Sequence, residues 1–336
     1  MAKVALIGAG FIGSVHANAY KSIGGAQVVA VADVVEQKGK KLAEDLGATY
    51  YSDLNGVLKE EEVDIVDICA PTYMHIGMVK EAAHAGKHIL CEKPLALSLK
   101  EADEMIAVVK KAGVKSMVGQ VLRFWPEYIK AKEITESGEL GKPYHAFCER
   151  LCISPSWTWQ DWMLDAKLSG GSPVDLHIHD LDFLIWLFGK PRLVKAQGVY
   201  DEKRGSYIHM GTNIEFESGQ SALAEAGCGF SGDFPFTMVL RILFERGTID
   251  WVFRAGKNIE QRGKEFALQV YRAEGGVETP DVEKADPYTL ELKYFVECID
   301  RGEEVTRASF EDGRRALELA LASIQSAKSG KVVKIK

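Results

Sequence analysis

Two stretches of this chain carry side chains suited to handling a proton on an oxygen. In Cys91-Glu92-Lys93-Pro94 a lysine ends an apolar run and precedes a proline, which biases Lys93 to an extended backbone and restricts where its amine points. An ammonium held there can hydrogen-bond the oxygen of a bound molecule; a surface charge pair with Glu92 is the plainer alternative. In Gly170-Gly171-Ser172-Pro173-Val174-Asp175-Leu176-His177-Ile178-His179 a glycine pair leads into an apolar helix expected over 175–188. Asp175 and His179 are then i and i+4, stacked on one face, so the carboxylate can orient the imidazole and stabilise its charge. A histidine acid or base needs that support. His177 and His179 suggest a metal through their spacing, but positions two apart on a helix point about 200° apart and cannot converge on one ion. No metal is expected.

What these groups would act beside is written at the N-terminus. Val4-Ala5-Leu6-Ile7 is a short uncharged run, the pattern of a strand buried on both faces of a parallel sheet. Gly8-Ala9-Gly10-Phe11-Ile12-Gly13 follows it. Gly8 permits a tight turn, Gly10 lets the backbone approach a pyrophosphate, and Gly13 lets the next helix lie close to the strand. That helix begins near Ile12, with its unpaired N–H groups and positive dipole end toward the phosphates. Gln27-Val-Val-Ala-Val-Ala-Asp33 is a second strand ending in a carboxylate about 20 residues beyond the glycines, as an acceptor for a ribose diol should. Neither Val34 nor Val35 is basic, and a carboxylate repels a 2′-phosphate, so NAD is expected over NADP.

The elements that must position these residues follow a regular pattern. Helices are expected over 36–46, 54–59, 75–85 and 99–112 and strands over 48–51, 63–69, 87–91 and 115–121, an alternation that implies right-handed crossovers and a doubly wound parallel sheet. In such sheets ligands sit beyond the carboxyl ends of the strands. The strand-end residues Ala70, Pro71, Thr72, His75, Glu92 and Lys93 therefore join Gly8, Gly10, Phe11, Ile12, Gly13 and Asp33 as candidate cofactor-binding residues. From Tyr144 on, long strands of alternating polarity joined by tight turns predict one antiparallel sheet, with helices returning only over 287–300 and 310–329. The first domain is placed at 1–123 and the second at 124–336, with helix 310–329 packing back on the first. One sheet face lacks a covering helix, and an open face is a natural homodimer or homotetramer interface.

Composition narrows the function classes. The chain has 336 residues, 46% of them hydrophobic, and a formal charge of -7, which argues against nucleic acid or an anionic membrane as the main partner. No run approaches the roughly 20 apolar residues of a membrane span, and the N-terminus enters a strand directly, so a cytoplasmic protein without a signal peptide is expected. The six cysteines are scattered without paired ligand spacing and are expected to be small buried side chains.

The glycine turn, Asp33, the Glu92-Lys93-Pro94 triplet, the Arg123-Phe124-Trp125-Pro126 segment, and the spacing of Gly170, Gly171, Asp175, His179 and Asp182 together resemble the Gfo/Idh/MocA oxidoreductases. The family is named for glucose–fructose oxidoreductase and inositol dehydrogenase. The resemblance spans the whole chain and implies an α/β protein: an N-terminal Rossmann domain, then an α+β domain with a large, open, mainly antiparallel sheet. It implies hydride transfer between nicotinamide and a hydroxyl-bearing carbon of a sugar or cyclitol, with Lys93, Asp175 and His179 as catalytic residues. His177-Ile-His-Asp-Leu-Asp182 is closer to the inositol dehydrogenases than to members with glycine before the histidine. Ser172-Pro173 and Val121-Leu122-Arg123 depart from the usual pattern. Arg123, Trp157, Trp162 and His179 are expected at the substrate, a tryptophan offering a platform for the C–H face of a ring. A nucleotide-sugar dehydrogenase would need more phosphate-binding cations than Arg150, Lys167 and Arg241. A non-catalytic NAD(H)-binding regulator would have no use for a proton-transfer pair.

Overall fold

In the computed structural model, which describes residues 1–155, 158–256 and 266–335, the N-terminal apolar runs become strands and the amphipathic stretches between them become helices. The order is β1 (Ala2–Ile7), α1 (Phe11–Tyr20), β2 (Ala26–Ala32), α2 (Glu36–Leu46), β3 (Thr49–Tyr51), α3 (Leu54–Glu60), β4 (Ile65–Ile68), α4 (His75–His84), β5 (His88–Glu92), α5 (Leu99–Ala112) and β6 (Ser116–Gly119). These strands pair in parallel in the spatial order β3-β2-β1-β4-β5-β6. The order reverses between β1 and β4, which is where a doubly wound sheet opens its ligand crevice. Strands covered on both faces need no polar side, and Val4, Leu6, Ile65, Ile68, Ile89 and Leu90 are completely buried. Asp67, in the middle of β4, breaks the pattern: its carboxylate is equally buried.

Register places the chemistry. Ala32, Ile7, Ile68, Cys91 and Val118 form one row across the sheet. One residue further, at the carboxyl edge, stand Asp33, Gly8, Cys69 and Glu92, with Glu92 opposite Gly119.

After Pro126 the pattern changes. α6 (Pro126–Ser137) leads to β7 (Pro143–Ile153), the short helices α7 (Ala166–Ser169) and α8 (Ser172–Asp175), and α9 (Ile178–Phe188). Then come β8 (Pro191–Asp201), β9 (Ser206–Phe216), β10 (Ser221–Phe230), β11 (Thr237–Phe244), β12 (Gly247–Arg254), β13 (Gln269–Arg272) and β14 (Val277–Glu278), closed by α10 (Pro287–Asp300), α11 (Phe310–Ser329) and β15 (Val333–Lys334). The nine strands order as β14-β13-β12-β11-β7-β10-β9-β8-β15. Strands joined by hairpins are antiparallel, as the alternation predicts. The sheet is nevertheless mixed rather than antiparallel throughout, because β7 lies between β10 and β11 and runs parallel to β10. β7 continues into the helical segment instead of a turn, so no hairpin dictates its direction. Its side chains alternate, with Ala146, Cys148 and Arg150 buried and His145, Phe147 and Glu149 only half-buried on the other face. Under the buried face, Tyr128 packs edge-on against Phe183 of α9 and Trp251 of β12, with ring centroids 4.7 and 5.5 Å away.

The chain divides into two compact units, residues 1–125 with 285–314 and residues 126–284 with 315–336. α10 thus belongs with the parallel sheet, and α11 begins in the first unit and continues in the second. Among the described residues no helix is long and apolar enough to cross a membrane. All six cysteines are free thiols, but Cys228 is only half-buried, contrary to the expectation that every one is inside.

Candidate functional site

In the first unit the glycine turn has the shape the motif demands. Gly8 has φ +109°, a conformation side chains rarely adopt, and a Cβ there would meet the Cys69 carbonyl oxygen at 2.6 Å. At Gly13 a Cβ would drive into the Gly8 carbonyl, so the absence of a side chain lets α1 sit against the end of β1. Gly10, the residue before α1, has nothing within 4 Å of its Cβ position. An open site at a helix N-terminus is what a pyrophosphate requires, and Phe11 and Ile12 form the first turn beside it.

Asp33 stands at the end of β2 and braces this turn. One carboxylate oxygen accepts the Ala9 N–H at 2.6 Å and the other the Val35 N–H at 2.6 Å. The side chain is half-buried, and Val34 beside it is exposed. These residues fit a dinucleotide: a cradle for phosphates and, at the next strand, an acid for a ribose diol.

Beyond β4, Ala70 and Pro71 lead into a single turn at Thr72–Met74, with Thr72 buried. His75 is buried, its Nδ1 lying 3.0 Å from the Pro94 carbonyl oxygen and its Nε2 2.9 Å from that of Ala70. Burial holds this imidazole below its ordinary pKa against those carbonyls and Glu92. A neutral ring donates to only one carbonyl at a time. The ring ties the loop after β4 to the loop after β5. Lys93, half-buried, opens that second loop, and its backbone N–H donates to Glu92 Oε2 at 3.1 Å. The parallel sheet thereby gathers every expected cofactor-side residue at its carboxyl edge. Arg123 is engaged elsewhere: 2% exposed, its Nη1 donates to the Arg307 carbonyl at 2.6 Å and lies 3.2 Å from Asp312 Oδ1. A guanidinium so engaged holds residues 121–124 to 307–312.

In the second unit the helix expected over 175–188 is broken. α8 ends at Asp175 and α9 starts at Ile178; between them the His177 N–H donates to the Ser172 carbonyl at 3.0 Å, five residues back. The wider turn adds a residue to the spacing, so Asp175 and His179 belong to successive helices. Pro173, near the start of α8, and the left-handed Gly171 before it shape the break; a Cβ on Gly171 would strike the Ser206 hydroxyl. Asp175 is buried and His179 half-buried. His177 points into the core instead, its Nε2 lying 2.9 Å from Thr212 Oγ1, and burial lowers its pKa to about 3, with Arg150 and His209 adding to the effect. Trp162 lies half-buried in a short turn helix (Trp159–Leu164), and Trp157 lies outside the described residues.

Residues 2–120 match the family described as an oxidoreductase family with an NAD-binding Rossmann fold, and residues 128–250 match the GFO/IDH/MocA C-terminal domain. The scyllo-inositol 2-dehydrogenase (NAD(+)) of Bacillus subtilis is 31% identical, over 99% of this chain and 96% of that protein. The chain belongs to the Gfo/Idh/MocA oxidoreductase family. Another relative, the myo-inositol 2-dehydrogenase of Thermotoga maritima, is 28% identical over 99% of this chain and 98% of its own. A crystal structure of a putative myo-inositol dehydrogenase from Sinorhizobium meliloti superposes with a TM-score of 0.83 at 25% identity, covering 100% of both chains. As a Gfo/Idh/MocA oxidoreductase the chain binds NAD(P) through its Rossmann domain.

Two features of this Gfo/Idh/MocA chain escape sequence reading. Beneath the glycine turn, His16, Asp67, Cys69 and Glu92 form a buried polar cluster. Beside His179, Asp180 accepts from Arg150 Nε at 2.9 Å and Nη2 at 3.1 Å, fully inside the unit. Burial works against both charges, and the facing carboxylate outweighs it at Arg150, whose guanidinium is held charged above its ordinary range. The only sequence signal is the polarity itself: charged residues inside runs that otherwise read as core.

Proposed function

We propose that this oxidoreductase is a dehydrogenase of CH–OH groups that removes hydride from a ring carbon of a sugar or cyclitol, an inositol-like polyol first among them, with NAD preferred to NADP. The observation that carries the reading is the placement of Lys93: it leaves the parallel sheet at the carboxyl end of β5, in the loop that His75 ties to the end of β4. Bound NAD⁺ supplies the two-electron acceptor. Lys93 donates a hydrogen bond to the substrate oxygen and stabilises its developing charge, while His179, oriented by Asp175, takes the hydroxyl proton. The carbon loses a hydride and the oxygen a proton, leaving a ketone or lactone. Asp33 favours NAD because a 2′-phosphate would face its carboxylate. The relatives named for inositols direct the choice of substrate class. In the same reading the exposed face of the nine-stranded sheet joins copies of the chain.

Reduction of NAD⁺ and NADP⁺ should be followed at 340 nm with myo-inositol, scyllo-inositol, D-xylose, D-glucose and D-gluconate. Turnover with a cyclitol or aldose, faster with NAD⁺, is expected, and Lys93→Ala should lower kcat by about 10²-fold or more while leaving NAD⁺ affinity within about threefold. No turnover with any of these, or full turnover by the alanine variant, overturns the reading.

A further inference from the structure

Under the carboxyl edge of the parallel sheet, within the first unit, one imidazole sits between two carboxylates. His16 projects from the middle of α1 and is completely buried. Its Nδ1 is 2.9 Å from Asp67 Oδ2 and 3.3 Å from Cys69 Sγ, both on the β4 side; its Nε2 is 3.2 Å from Glu92 Oε1 at the end of β5. Register explains the convergence. Asp67 stands opposite Leu90, and Cys69 and Glu92 come one alternation later, so Asp67, Cys69 and Glu92 share the sheet face that α1 covers. Glu291 and Tyr288 of α10 and Tyr20 of α1 complete the surroundings of the ring. Glu92 is wedged from its other side, where a Cβ on Gly119 would lie 2.5 Å from its Oε1. Its second oxygen accepts the Lys93 N–H.

We propose that His16 is a positioning residue for Lys93: the chain Asp67–His16–Glu92–Lys93 N–H fixes the lysine's backbone relative to the helix that carries the dinucleotide turn. The inference rests on the catalytic role proposed for Lys93. Nδ1 is hydrogen-bonded to Asp67, whereas Nε2 makes no hydrogen bond and meets Glu92 as a charge contact at 3.2 Å, so the ring serves both carboxylates as an imidazolium. A neutral imidazole would leave the two buried carboxylates without their counter-charge, at the cost that attaches to unpaired buried charge. Burial alone drives His16 toward neutrality, but Asp67 and Cys69 hold its pKa well above the ordinary value. One cation thereby neutralises the β4 carboxylate and grips the residue before the lysine. α1, whose first turn follows Gly10, and β5, whose last residue precedes Lys93, are joined through this single side chain.

His16→Gln keeps the polarity of the side chain but cannot carry a charge, and Glu92→Gln keeps the shape of the acceptor while removing its charge. In both variants the Lys93 backbone amide should exchange with solvent deuterium at least about tenfold faster, while the amides of Val4 to Ile7 change less than about twofold. Whichever of myo-inositol, scyllo-inositol, D-xylose or D-glucose supports turnover should show a kcat at least about tenfold lower, with the NAD⁺ dissociation constant of His16→Gln within about threefold. The double variant should be no slower than the worse single variant, because both break one chain. Unchanged protection at Lys93, or protection lost equally in β1, overturns the proposal. Should His16→Gln fail to fold, Glu92→Gln decides by the same readouts. Lys93→Ala separates the two claims: if it keeps full turnover the role of the lysine fails, while amide exchange still judges the clamp.

Discussion

Asp33 braces the glycine turn with the same carboxylate proposed for the ribose. Its carboxylate holds the Ala9 and Val35 N–H groups, both at 2.6 Å, and it is also the acid expected at the ribose. Hydrogen bonds to a charged group contribute about 1.5–3 kcal/mol each. Asp33→Ser, which removes the charge, should therefore weaken NAD⁺ binding by about 10- to 100-fold. It should also raise the NADP⁺/NAD⁺ ratio of kcat/KM, measured by steady-state kinetics with both cofactors. A ratio that does not move would mean the acid serves the turn alone. Residues such as Asp33 and the glycines are legible in sequence because the chemistry that needs them is local: a strand, a turn, a helix and the end of the next strand, all within residues 2–33. His16 is not, because its partner Asp67 is 51 residues away and only the parallel register brings the two together. Nothing within the run around His16 distinguishes a clamp from an ordinary helix surface.

At the scale of elements, the segment around α8 and α9 is where local rules and tertiary demands part. Helical periodicity describes 175–188 well, yet the chain takes a wider turn at 176–177. His177 is turned into the core toward Thr212 of β9, and the Asp180 carboxylate toward Arg150 of β7. The parallel placement of β7 was likewise beyond reach, since strand alternation reports which face is buried and not which neighbour is chosen. Two predictions belong to this segment. Breaking the buried pair by Asp180→Ala should lower stability by about 3–5 kcal/mol, read from urea unfolding, because a guanidinium is left unpaired inside. The second concerns pH. His177 has its folded pKa lowered to about 3 by burial, against about 6.5 when unfolded. In that window the unfolded chain binds more protons, so this residue's contribution is complete above about pH 6.5 and is lost as pH falls toward the folded value. Each unit below about 6.5 costs up to about 1.4 kcal/mol. Comparing urea midpoints at pH 7 and 5, His177→Asn should show a smaller loss than the parent chain. An equal loss in both would mean the imidazole is not the group that titrates. His16 acts in the opposite sense and over a separate range: its raised pKa gives stability that is complete below the ordinary value and fades as pH rises through the folded one.

At the scale of the whole molecule, the nine-stranded sheet offers one face for assembly. Phe147 and His145 of β7 stand beside Arg241 and Leu243 of β11, with Leu223 of β10 on one side and Tyr271 of β13 on the other, all on the face opposite the buried Cys148 and Arg150. Leu243 is 47% exposed and Tyr271 40% exposed in the single chain, and apolar side chains spread over several strands mark a surface suited to a partner. A second copy of the chain is the simplest occupant, since closed homo-oligomers dominate among proteins of this kind. Light scattering at micromolar concentration should then report a dimer or tetramer, and Leu243→Asp should shift it toward monomer, since a carboxylate would be buried in the seam. The same face carries Glu149 opposite Glu225. Partial burial and that second acid raise the pKa of Glu149 against the pull of Arg254 and Arg241, and Glu225 is also paired with His209 at 2.8 Å. Association would bury the Glu149 carboxylate further and favour its protonated form. The assembly should therefore tighten as pH falls from 8 to 5.5. Sedimentation equilibrium across that range measures the effect. A monomer throughout would overturn the assembly, and an assembly that Leu243→Asp leaves intact would move the interface off this face.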